Sequence, residues 1–323
     1  TSAAIQGAAN FTSSGNPLIE IESGNREIRR FDILGSAFAA VTPIEGLEIK
    51  STFMPRLNRT RDGYFYDVTP DRSQNTGFQE NGEAFEWTLD NQITYRRTFA
   101  KAHTINATFI NSLYKTRYES SRVTAINLPY NSGWYNLGLG EIVKGSETGS
   151  SYAETGLISY ATRVNYDYKN KYLATGTVRF DGSSKLRDKW TAFPSLALAW
   201  RMNEEEFFKK EWLSDLKARF SFGYSGSNSG ISAYGSMQTP DLVRQNFYDF
   251  TPGVPVTGAA PGNPVNPDLT WEKTRELNFG LDFGLFKHRI SGTIDLYSKL
   301  SDGLLLIGSL PVESGVTGIV DNI

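Results

Sequence analysis

Histidine and cysteine, which do much of the catalysis and metal binding in proteins, are almost absent from this chain of 323 residues. The chain has no cysteine, so it has no thiolate nucleophile, no thiolate metal site and no disulfide framework. Its two histidines, His103 and His288, each follow a predicted short turn and have no carboxylate at metal-ligand spacing. We therefore predict that both are surface turn residues.

Three short motifs match catalytic or metal-binding signatures only in part. The segment 226–230 has Asn228 where a hydrolase elbow carries its serine, and the segment 182–185 lacks the flanking glycine of a phosphate loop. The acidic run 204–206, followed by two lysines, could form a metal patch. An amphipathic turn helix explains it better, because the acids precede the bases as the helix dipole favours. The sequence thus predicts no enzyme, no cofactor and no metal site.

Charged side chains at every second position offer another kind of chemistry, which is contact with a ligand, a plug domain or water. Nine such residues are Asp90, Arg96, Arg163, Arg179, Asp181, Lys217, Arg219, Glu276 and Asp282. For each of them, the pattern favours support of a plug or solvation of a wet interior over direct ligand contact. Trp134 and Tyr135, in the predicted loop 117–153, are candidates for extracellular contacts with a ligand or a partner protein.

The segments that carry these charges alternate between apolar and polar residues with a period of two, which predicts β-strands. In 277–285, for example, five apolar residues share one face, and the other face carries Glu276, Asn278 and Asp282. Strong alternation occurs at 87–96, 157–168, 172–181, 216–225, 277–285 and 290–299, and weaker alternation at 31–41, 47–54, 103–115 and 192–202. In the six strong segments the apolar face carries no charge.

The length of these segments bears on what covers the apolar face. A soluble β-sandwich or solenoid would bury that face in a protein core, and its strands are typically about 5–6 residues long. A tilted strand that crosses a membrane needs about 9–11 residues, which is the length of segments such as 172–181 and 277–285. A Lys or Arg that faces lipid near the midplane costs about 2–4 kcal/mol, which explains its absence from the apolar face.

The connections between the predicted strands alternate between short and long, as in outer-membrane barrels. Short links fall at 43–46, 99–101, 169–171 and 286–288, long ones at 63–82, 117–153 and 226–270, a medium one at 182–190 and a compact helical one at 203–213. Aromatic residues flank the short links, as in a membrane-boundary girdle: Phe99, Tyr166, Tyr168, Tyr172, Trp200, Trp212 and Phe286. We predict an all-β fold, an antiparallel transmembrane β-barrel with short periplasmic turns and long extracellular loops. About ten strands are visible, with the start of an eleventh at Leu304–Ile307.

Composition excludes other classes. The 33 Lys and Arg against 35 Asp and Glu give no basic excess for nucleic-acid binding. No run approaches the ~20 apolar residues of a spanning helix. Residues 1–16 are small and polar and do not form a signal peptide. Because closed bacterial barrels have even strand numbers and the chain continues past the tenth strand, we expect 1–323 to be part of a larger barrel.

Several segments resemble the SusC/RagA family of TonB-linked outer-membrane proteins of Bacteroidetes. They are YLATGTVRFDGSSK (172–185), FPSLALAW (193–200), LKARFSFGYSGSN (216–228), NPDLTWEKT (266–274), LDFGLF (281–286), GTIDLYSK (292–299) and DGLLL (302–306), and Leu310-Pro311 follows them. In this order they span about 155–320, and residues 26–115 resemble the preceding hairpins of the family more loosely.

The resemblance implies a 22-stranded barrel in the outer membrane, plugged by an N-terminal domain and energised by TonB–ExbB–ExbD. It implies a SusD-like surface lipoprotein over the barrel mouth and a cargo of oligosaccharides or oligopeptides. Residues 1–323 would be a partial barrel domain, without the plug, the TonB-contacting segment and the N-terminal and C-terminal strands. Transport is inferred here from kinship alone.

Three functions remain open at this stage. The first is TonB-dependent import of glycans or peptides. The second is a SusC-like barrel that acts as a structural subunit of a larger outer-membrane secretion or assembly complex. The third is a soluble β-rich adhesin or carbohydrate-binding module, which would be released without detergent.

Overall fold

The computed structural model describes residues 17–70, 72–143, 147–237, 264–266, 268–311, 313 and 318–323, and the pairs 240–241, 247–248, 256–257 and 260–261. A short helix, α1 (Pro17–Ser23), precedes the strands. The strands are β1 (Gly24–Leu34), β2 (Ala37–Ile44), β3 (Leu47–Tyr66), β4 (Thr76–Phe99), β5 (His103–Ile126), β6 (Glu141–Ile142), β7 (Gly149–Tyr168), β8 (Tyr172–Ser183), β9 (Trp190–Arg201), β10 (Leu213–Ser227), β11 (Pro240–Asp241), β12 (Phe247–Tyr248), β13 (Val256–Thr257), β14 (Ala260–Pro261), β15 (Glu272–Leu285), β16 (Ile290–Asp302), β17 (Leu305–Ser309) and β18 (Gly318–Asn322). Among the described residues, no helix has the length and apolar character needed to cross a bilayer.

The chain divides into two compact units. The first unit holds the described residues up to Gly35, together with Arg56–Glu86 and Thr116–Glu154. Its sheet order is β1, then the parts of β3, β4, β5 and β7 that lie in these ranges, with β6 beside β5. β1 pairs with β3 in antiparallel register, from Gly24 opposite Tyr66 to Leu34 opposite Arg56. A small core of Phe65, Ala125, Leu128 and Leu137 closes one end.

The second unit holds Ser36–Pro55, Trp87–Lys115 and the described residues from Thr155 onward. Its sheet order is β2, β3, β4, β5, β7, β8, β9, β10, β15 and β16. The pairs β2–β3, β7–β8, β8–β9, β9–β10, β10–β15 and β15–β16 are antiparallel. Its core lies between β9 and the connections that follow β8 and β10. The members of this core are Leu186, Phe193, Ile231, Leu269 and Trp271.

All six strongly alternating segments are strands in the structure. Three of the four weaker segments are also strands, whereas 31–41 is divided between β1 and β2 by a break at residues 35–36. The tight turns fall where the alternation stops, between β2 and β3, β4 and β5, β7 and β8, and β15 and β16. The prediction of an antiparallel all-β sheet is therefore confirmed. The period of two is a reliable signal here because each apolar face is continuous over several residues.

Four strands are longer than predicted, so two loops are shorter. β3 continues to Tyr66 and β4 begins at Thr76, which reduces the predicted loop 63–82. β5 continues to Ile126 and β7 begins at Gly149, which reduces the predicted loop 117–153. The alternation is hidden there because ion pairs replace apolar neighbours on the sheet. Examples are Arg61 with Glu27 at 2.8 Å and Arg59 with Glu83 at 2.7 Å.

One smaller prediction was wrong, and one predicted strand is present outside the main sheet. The connection 203–213 contains two 3₁₀ turns, Met202–Glu204 and Glu206–Phe208, and no amphipathic helix. The strand predicted at Leu304–Ile307 exists as β17, but it pairs with β18 and not with β16. Its apolar residues therefore form a separate hairpin and do not extend the sheet. Of the predicted loop 226–270, residues 238–239, 242–246, 249–255, 258–259, 262–263 and 267 lie outside the described residues.

The apolar face of the second unit is open. Phe279 is 53% exposed, Ile294 55% and Leu296 70%. Soluble monomers rarely expose contiguous apolar patches of this kind. The exposure matches the prediction that this face is not covered by a second protein layer.

Aromatic side chains line up at the short-turn end of the second unit. The rings of His103 and Tyr168 lie 4.7 Å apart, those of Tyr168 and Tyr172 6.2 Å, and those of Tyr172 and Trp200 6.3 Å. On β9 a second exposed tryptophan, Trp190, stacks on Tyr160 at 5.9 Å. Ten residues of tilted strand rise about 25 Å, the height of the apolar band of an outer-membrane barrel. Trp190 and Trp200, which are ten residues apart on β9, therefore mark the two edges of the apolar band.

Candidate functional site

The nine predicted charged residues all lie in the second unit, on strands of its sheet. In each of these strands they alternate with the exposed apolar residues, so they occupy the opposite, polar face. The structure brings four of them together around two grooves. The other five lie outside these grooves, and their contacts are described separately below.

One row of residues crosses five strands and begins and ends with a charge. Arg163 on β7 lies opposite Thr177, Thr177 opposite Ser195, Ser195 opposite Gly223, and Gly223 opposite Glu276 on β15. A cavity of about 270 Å³ lies along this row. Because the three central residues are small, the row forms a shallow polar groove between a cation and an anion.

A second groove, of about 560 Å³, adjoins the first and shares Thr177, Ser195 and Tyr224 with it. Arg179 and Asp181 line one side, and the segment Ser225–Ser229 lines the other. Trp271 and Phe193 close one end. Hydroxyls, an amide and aromatic rings in one groove are the groups that recognise hydroxyl-rich or peptide ligands.

Hydrogen bonds to two neighbouring side chains fix the orientation of the Arg179 side chain. Its Nε donates to both carboxylate oxygens of Asp181, at 2.7 and 2.8 Å, and its Nη2 donates to the Ser159 hydroxyl at 2.8 Å. Asp181 and Ser159 are buried, whereas the Arg179 side chain is 43% exposed. The guanidinium therefore keeps one charged edge towards the groove in a defined orientation. Sequence analysis missed Ser159, because serine on a polar face carries no signal of its own.

Arg219 forms a separate cluster. Its Nε and Nη2 each donate to Asp282 at 2.9 Å, and Nη2 also donates to Asp295 at 3.2 Å. The Thr293 hydroxyl donates to Asp282 at 3.0 Å. A Cβ at Gly280 would lie 2.6 Å from the Arg219 guanidinium carbon, so a glycine is required for this close approach. We interpret the cluster as a structural clamp across β10, β15 and β16.

The remaining predicted wall residues lie apart from the grooves. Asp90 accepts a hydrogen bond from the Ser112 hydroxyl. Lys217 lies opposite Asp282 and Arg201 in the sheet. Arg96 donates its backbone N–H to Gly46 at 2.8 Å across a tight turn.

The two predicted loop aromatics behave differently from each other. Trp134 is only 4% exposed and covers Gly63, where a Cβ would lie 2.5 Å from the indole. Tyr135 is 69% exposed. The expectation that both rings are open is therefore wrong for Trp134, because Gly63 leaves a slot that the indole fills. A ligand or partner contact at Tyr135 stays a prediction.

The first unit has a larger cavity that sequence analysis missed. Its volume is about 1200 Å³, and Arg30, Thr60, Gly82, Ser120 and Ser151 are among the residues that line it. These lie on five different strands. Three of them, Gly82, Ser120 and Ser151, lie in segments that were predicted to be loops, so the sequence gave no signal that these residues face one cavity.

Comparison with known proteins identifies the family to which the chain belongs. The family model described as TonB dependent receptor-like, beta-barrel, matches residues 25–322. The chain belongs to the TonB-dependent receptor β-barrel family. The resemblance to SusC/RagA proteins is confirmed, and so is the transmembrane β-barrel fold.

Two relatives of this TonB-dependent receptor chain are informative. The TonB-dependent receptor P26 of Formosa agariphila is 32% identical over 320 residues, which cover 95% of this chain and 31% of that protein. SusC of Bacteroides thetaiotaomicron is 41% identical over 160 residues, covering 48% of this chain and 16% of that protein. The chain thus spans about three-tenths of the length of the first relative.

The structure of the RagAB peptide transporter matches the TonB-dependent receptor chain with a TM-score of 0.81 at 21% identity. The match covers 95% of this chain and 34% of that one. At this identity the likeness shows the fold. Because receptors of the family are outer-membrane barrels, the open apolar face is the lipid-facing side and the short turns are periplasmic. This location excludes the soluble module that the sequence had left open.

Proposed function

We propose that this chain is the wall segment of a SusC-like TonB-dependent transporter that imports oligosaccharides or oligopeptides. The family match over residues 25–322 carries the proposal. The sequence likeness to SusC and the fold shared with the RagAB peptide transporter support it. In this proposal the plug, the TonB-contacting segment and the remaining strands of a 22-stranded barrel lie in sequence outside residues 1–323.

The two grooves of the polar wall would contact the cargo. Arg179 offers a fixed guanidinium edge, and Ser225–Ser229 and Thr177 offer hydroxyl and amide groups. A guanidinium can donate paired hydrogen bonds to a carboxylate, and it can also donate to sugar hydroxyls. For this reason both cargo classes belong to the proposal. Asp90, Arg96, Lys217, Arg219 and Asp282 would face the plug or water.

The partners follow from the same family. A SusD-like surface lipoprotein would close over the extracellular mouth, and Tyr135 is a candidate contact for it. TonB–ExbB–ExbD would supply energy through a segment outside this chain. The chain shares its fold with the solved RagAB peptide transporter.

An uptake assay on the full-length receptor tests the proposal. Cells that lack the receptor are complemented with wild type, Arg179→Gln or Thr177→Val and are given fluorescent oligosaccharide or oligopeptide pools. We expect wild type to accumulate one pool in a way that a protonophore abolishes. Loss of one charge-assisted hydrogen bond, worth about 1.5–3 kcal/mol, should reduce accumulation by Arg179→Gln by roughly ten-fold or more.

Arg96→Gln is the matched control, because it removes the same charge from the wall outside both grooves. The heat-modifiable electrophoretic mobility of each variant shows whether it is folded in the outer membrane. Thr177→Val changes the groove and leaves the hydrogen bonds between Arg179 and Asp181 intact. Failure of wild type to accumulate either pool, with stable co-purification of secretion components, would support the structural-subunit alternative. If Arg96→Gln and Arg179→Gln reduce accumulation of the cargo equally, the grooves do not contact the cargo.

A further inference from the structure

An apolar groove of about 450 Å³ lies on the lipid-facing side of the second unit, close to the periplasmic turns. Its floor is formed by two alanines that stand among large neighbours. Ala174 lies opposite Tyr166 and Leu198 in the sheet, and Ala218 lies opposite Trp200. Because a methyl group is much shorter than these neighbours, the outer surface is indented there.

The groove continues along β8. A Cβ added at Gly176 would meet no heavy atom within 4 Å, so the surface stays open next to Ala174. Tyr172 and Trp200 border the periplasmic end of the groove, and Phe220 and Phe279 border its other side with rings 5.0 Å apart. An apolar channel that is open to the bilayer and runs away from an aromatic girdle suits an acyl chain.

Cations lie beside the periplasmic end of this groove. The exposed Lys169 ammonium lies 5.3 Å from the centre of the Tyr168 ring, which in turn lies 6.2 Å from the Tyr172 ring. The Lys169 N–H donates to the Ala102 carbonyl at 2.7 Å, which holds the Lys101 turn next to the Lys169 turn. Neither turn, 100–102 or 169–171, contains an acidic residue. Two carboxylates lie nearby and have donors of their own: Asp167 accepts from the Asn170 N–H, and Glu205 accepts from the Lys171 ammonium, the Tyr172 hydroxyl and the Trp200 indole.

Both lysines have left-handed backbone conformations in their turns. Lys101 has φ of 54° and Lys169 has φ of 51°. Asn and Gly are the residues that favour this left-handed conformation in two-residue hairpins. Because Ala100 and Asn170 adopt the same conformation, it belongs to the turn type. The case for the lysines therefore rests on the position of Lys169 beside the groove and of the Lys101 turn next to it.

We propose that the groove and the two turns form a binding site for one phospholipid of the periplasmic leaflet with an anionic headgroup. One acyl chain lies over Ala174 and Gly176 between the aromatic walls. The phosphate is bound by Lys169 and Lys101. The site is independent of the cargo and of transport.

Native mass spectrometry of the full-length receptor tests this site. The receptor in detergent is titrated with phosphatidylglycerol and, separately, with phosphatidylcholine of the same chain length. We expect wild type to retain phosphatidylglycerol preferentially. Because one basic residue near an anionic headgroup contributes about five-fold in affinity, Lys101→Gln with Lys169→Gln should lose roughly 25-fold for phosphatidylglycerol and little for phosphatidylcholine. Ala174→Phe fills the groove and should weaken both lipids.

Controls are available in the same chain. Lys209→Gln with Lys210→Gln removes two cations from another periplasmic connection, and Ala192→Phe adds a ring to β9 outside the groove. Three results would overturn the proposal. The control variants could lose as much affinity for phosphatidylglycerol as the test variants, or wild type could show no preference for phosphatidylglycerol over phosphatidylcholine. Inorganic phosphate alone could also displace the lipid. Unchanged lipid retention with loss of a periplasmic partner protein would assign the lysines to that partner instead.

Discussion

Glu205 illustrates how a single carboxylate ties a periplasmic connection to the aromatic girdle. It accepts hydrogen bonds from the Tyr172 hydroxyl at 2.7 Å, the Lys171 ammonium at 3.1 Å and the Trp200 indole N–H at 3.3 Å. The hydrogen bond from Tyr172, followed by that from Lys171, lowers the pKa of Glu205. All of these donors favour the ionised form.

This lowered pKa predicts how stability changes with pH. A group with a depressed folded-state pKa contributes stability above its unfolded pKa, about 4.3 for Glu, and loses it as pH falls through the folded pKa. Glu205→Gln should therefore have a lower urea midpoint than wild type at neutral pH. The difference should shrink below about pH 4. Tryptophan fluorescence of the full-length receptor during urea titration at several pH values measures it.

Glu204→Gln is the control for this experiment, because Glu204 is exposed in the same connection and its recorded partner is the Asn203 side chain. A difference between Glu205→Gln and wild type that is constant down to acid pH would show that the carboxylate charge is not what matters.

At the scale of secondary-structure elements, the short turns between long strands are strained. Ala100, Lys101, Lys169 and Asn170 all have φ between 49° and 58°. A left-handed conformation costs roughly 1–2 kcal/mol for a residue that has a Cβ. The long strand pairs on both sides of each turn compensate for this cost.

Lys101→Gly should relieve the strain in the first of these turns. We expect the receptor in lipid-free detergent to gain about 1 kcal/mol in the free energy of unfolding, because glycine adopts positive φ without a steric penalty. The urea midpoint measures the gain. Lys210→Gly is the matched control: Lys210 lies in another connection and has no positive φ, so glycine there should destabilise. If both variants behave alike, the gain does not come from backbone strain.

At the scale of the whole molecule, the effect of a substitution depends on whether lipid or water covers that face of the sheet. Phe279 faces lipid and is 53% exposed, with Phe220 as its neighbour on β10. Asn278, the next residue on β15, faces the polar side opposite Ser221. The two residues are adjacent in the chain and belong to different environments.

Phe279→Lys and Asn278→Lys therefore form a matched pair. A lysine on the lipid face near the midplane costs about 2–4 kcal/mol, and on the interior face much less. We expect Phe279→Lys to reduce the folded fraction in the outer membrane and Asn278→Lys to leave it unchanged. Heat-modifiable electrophoretic mobility of membrane fractions measures this. Comparable yields of the two variants would contradict the lipid-facing assignment.

The sequence predicted the central parts of the strands well and their extensions poorly. The segments 172–181 and 277–285 alternate because lipid excludes charge from one face, and this signal is local. The extension of β3 to Tyr66 carries charges on both faces, such as Arg61 and Asp62. There the strand is stabilised by pairs with residues far away in the chain, among them Glu27 and Arg26. No local pattern reveals such pairs.

The candidate site was predicted in the same uneven way. Strand alternation placed Arg163, Arg179, Asp181 and Glu276 on the polar face, because neighbouring side chains on a strand point to opposite sides. That Arg163 and Glu276 lie at the two ends of one row depends on the registers of five strands. Registers join residues that are distant in the chain.

The amino-acid sequence by itself determined the class of fold and the two faces of the wall. It did so because the lipid and aqueous environments act on each residue separately and leave a period of two. The tertiary structure alone decided which charged residues meet, where the grooves lie, and that Trp134 fills the slot above Gly63. Those outcomes depend on contacts between distant segments, and such contacts form only when the strands are in register.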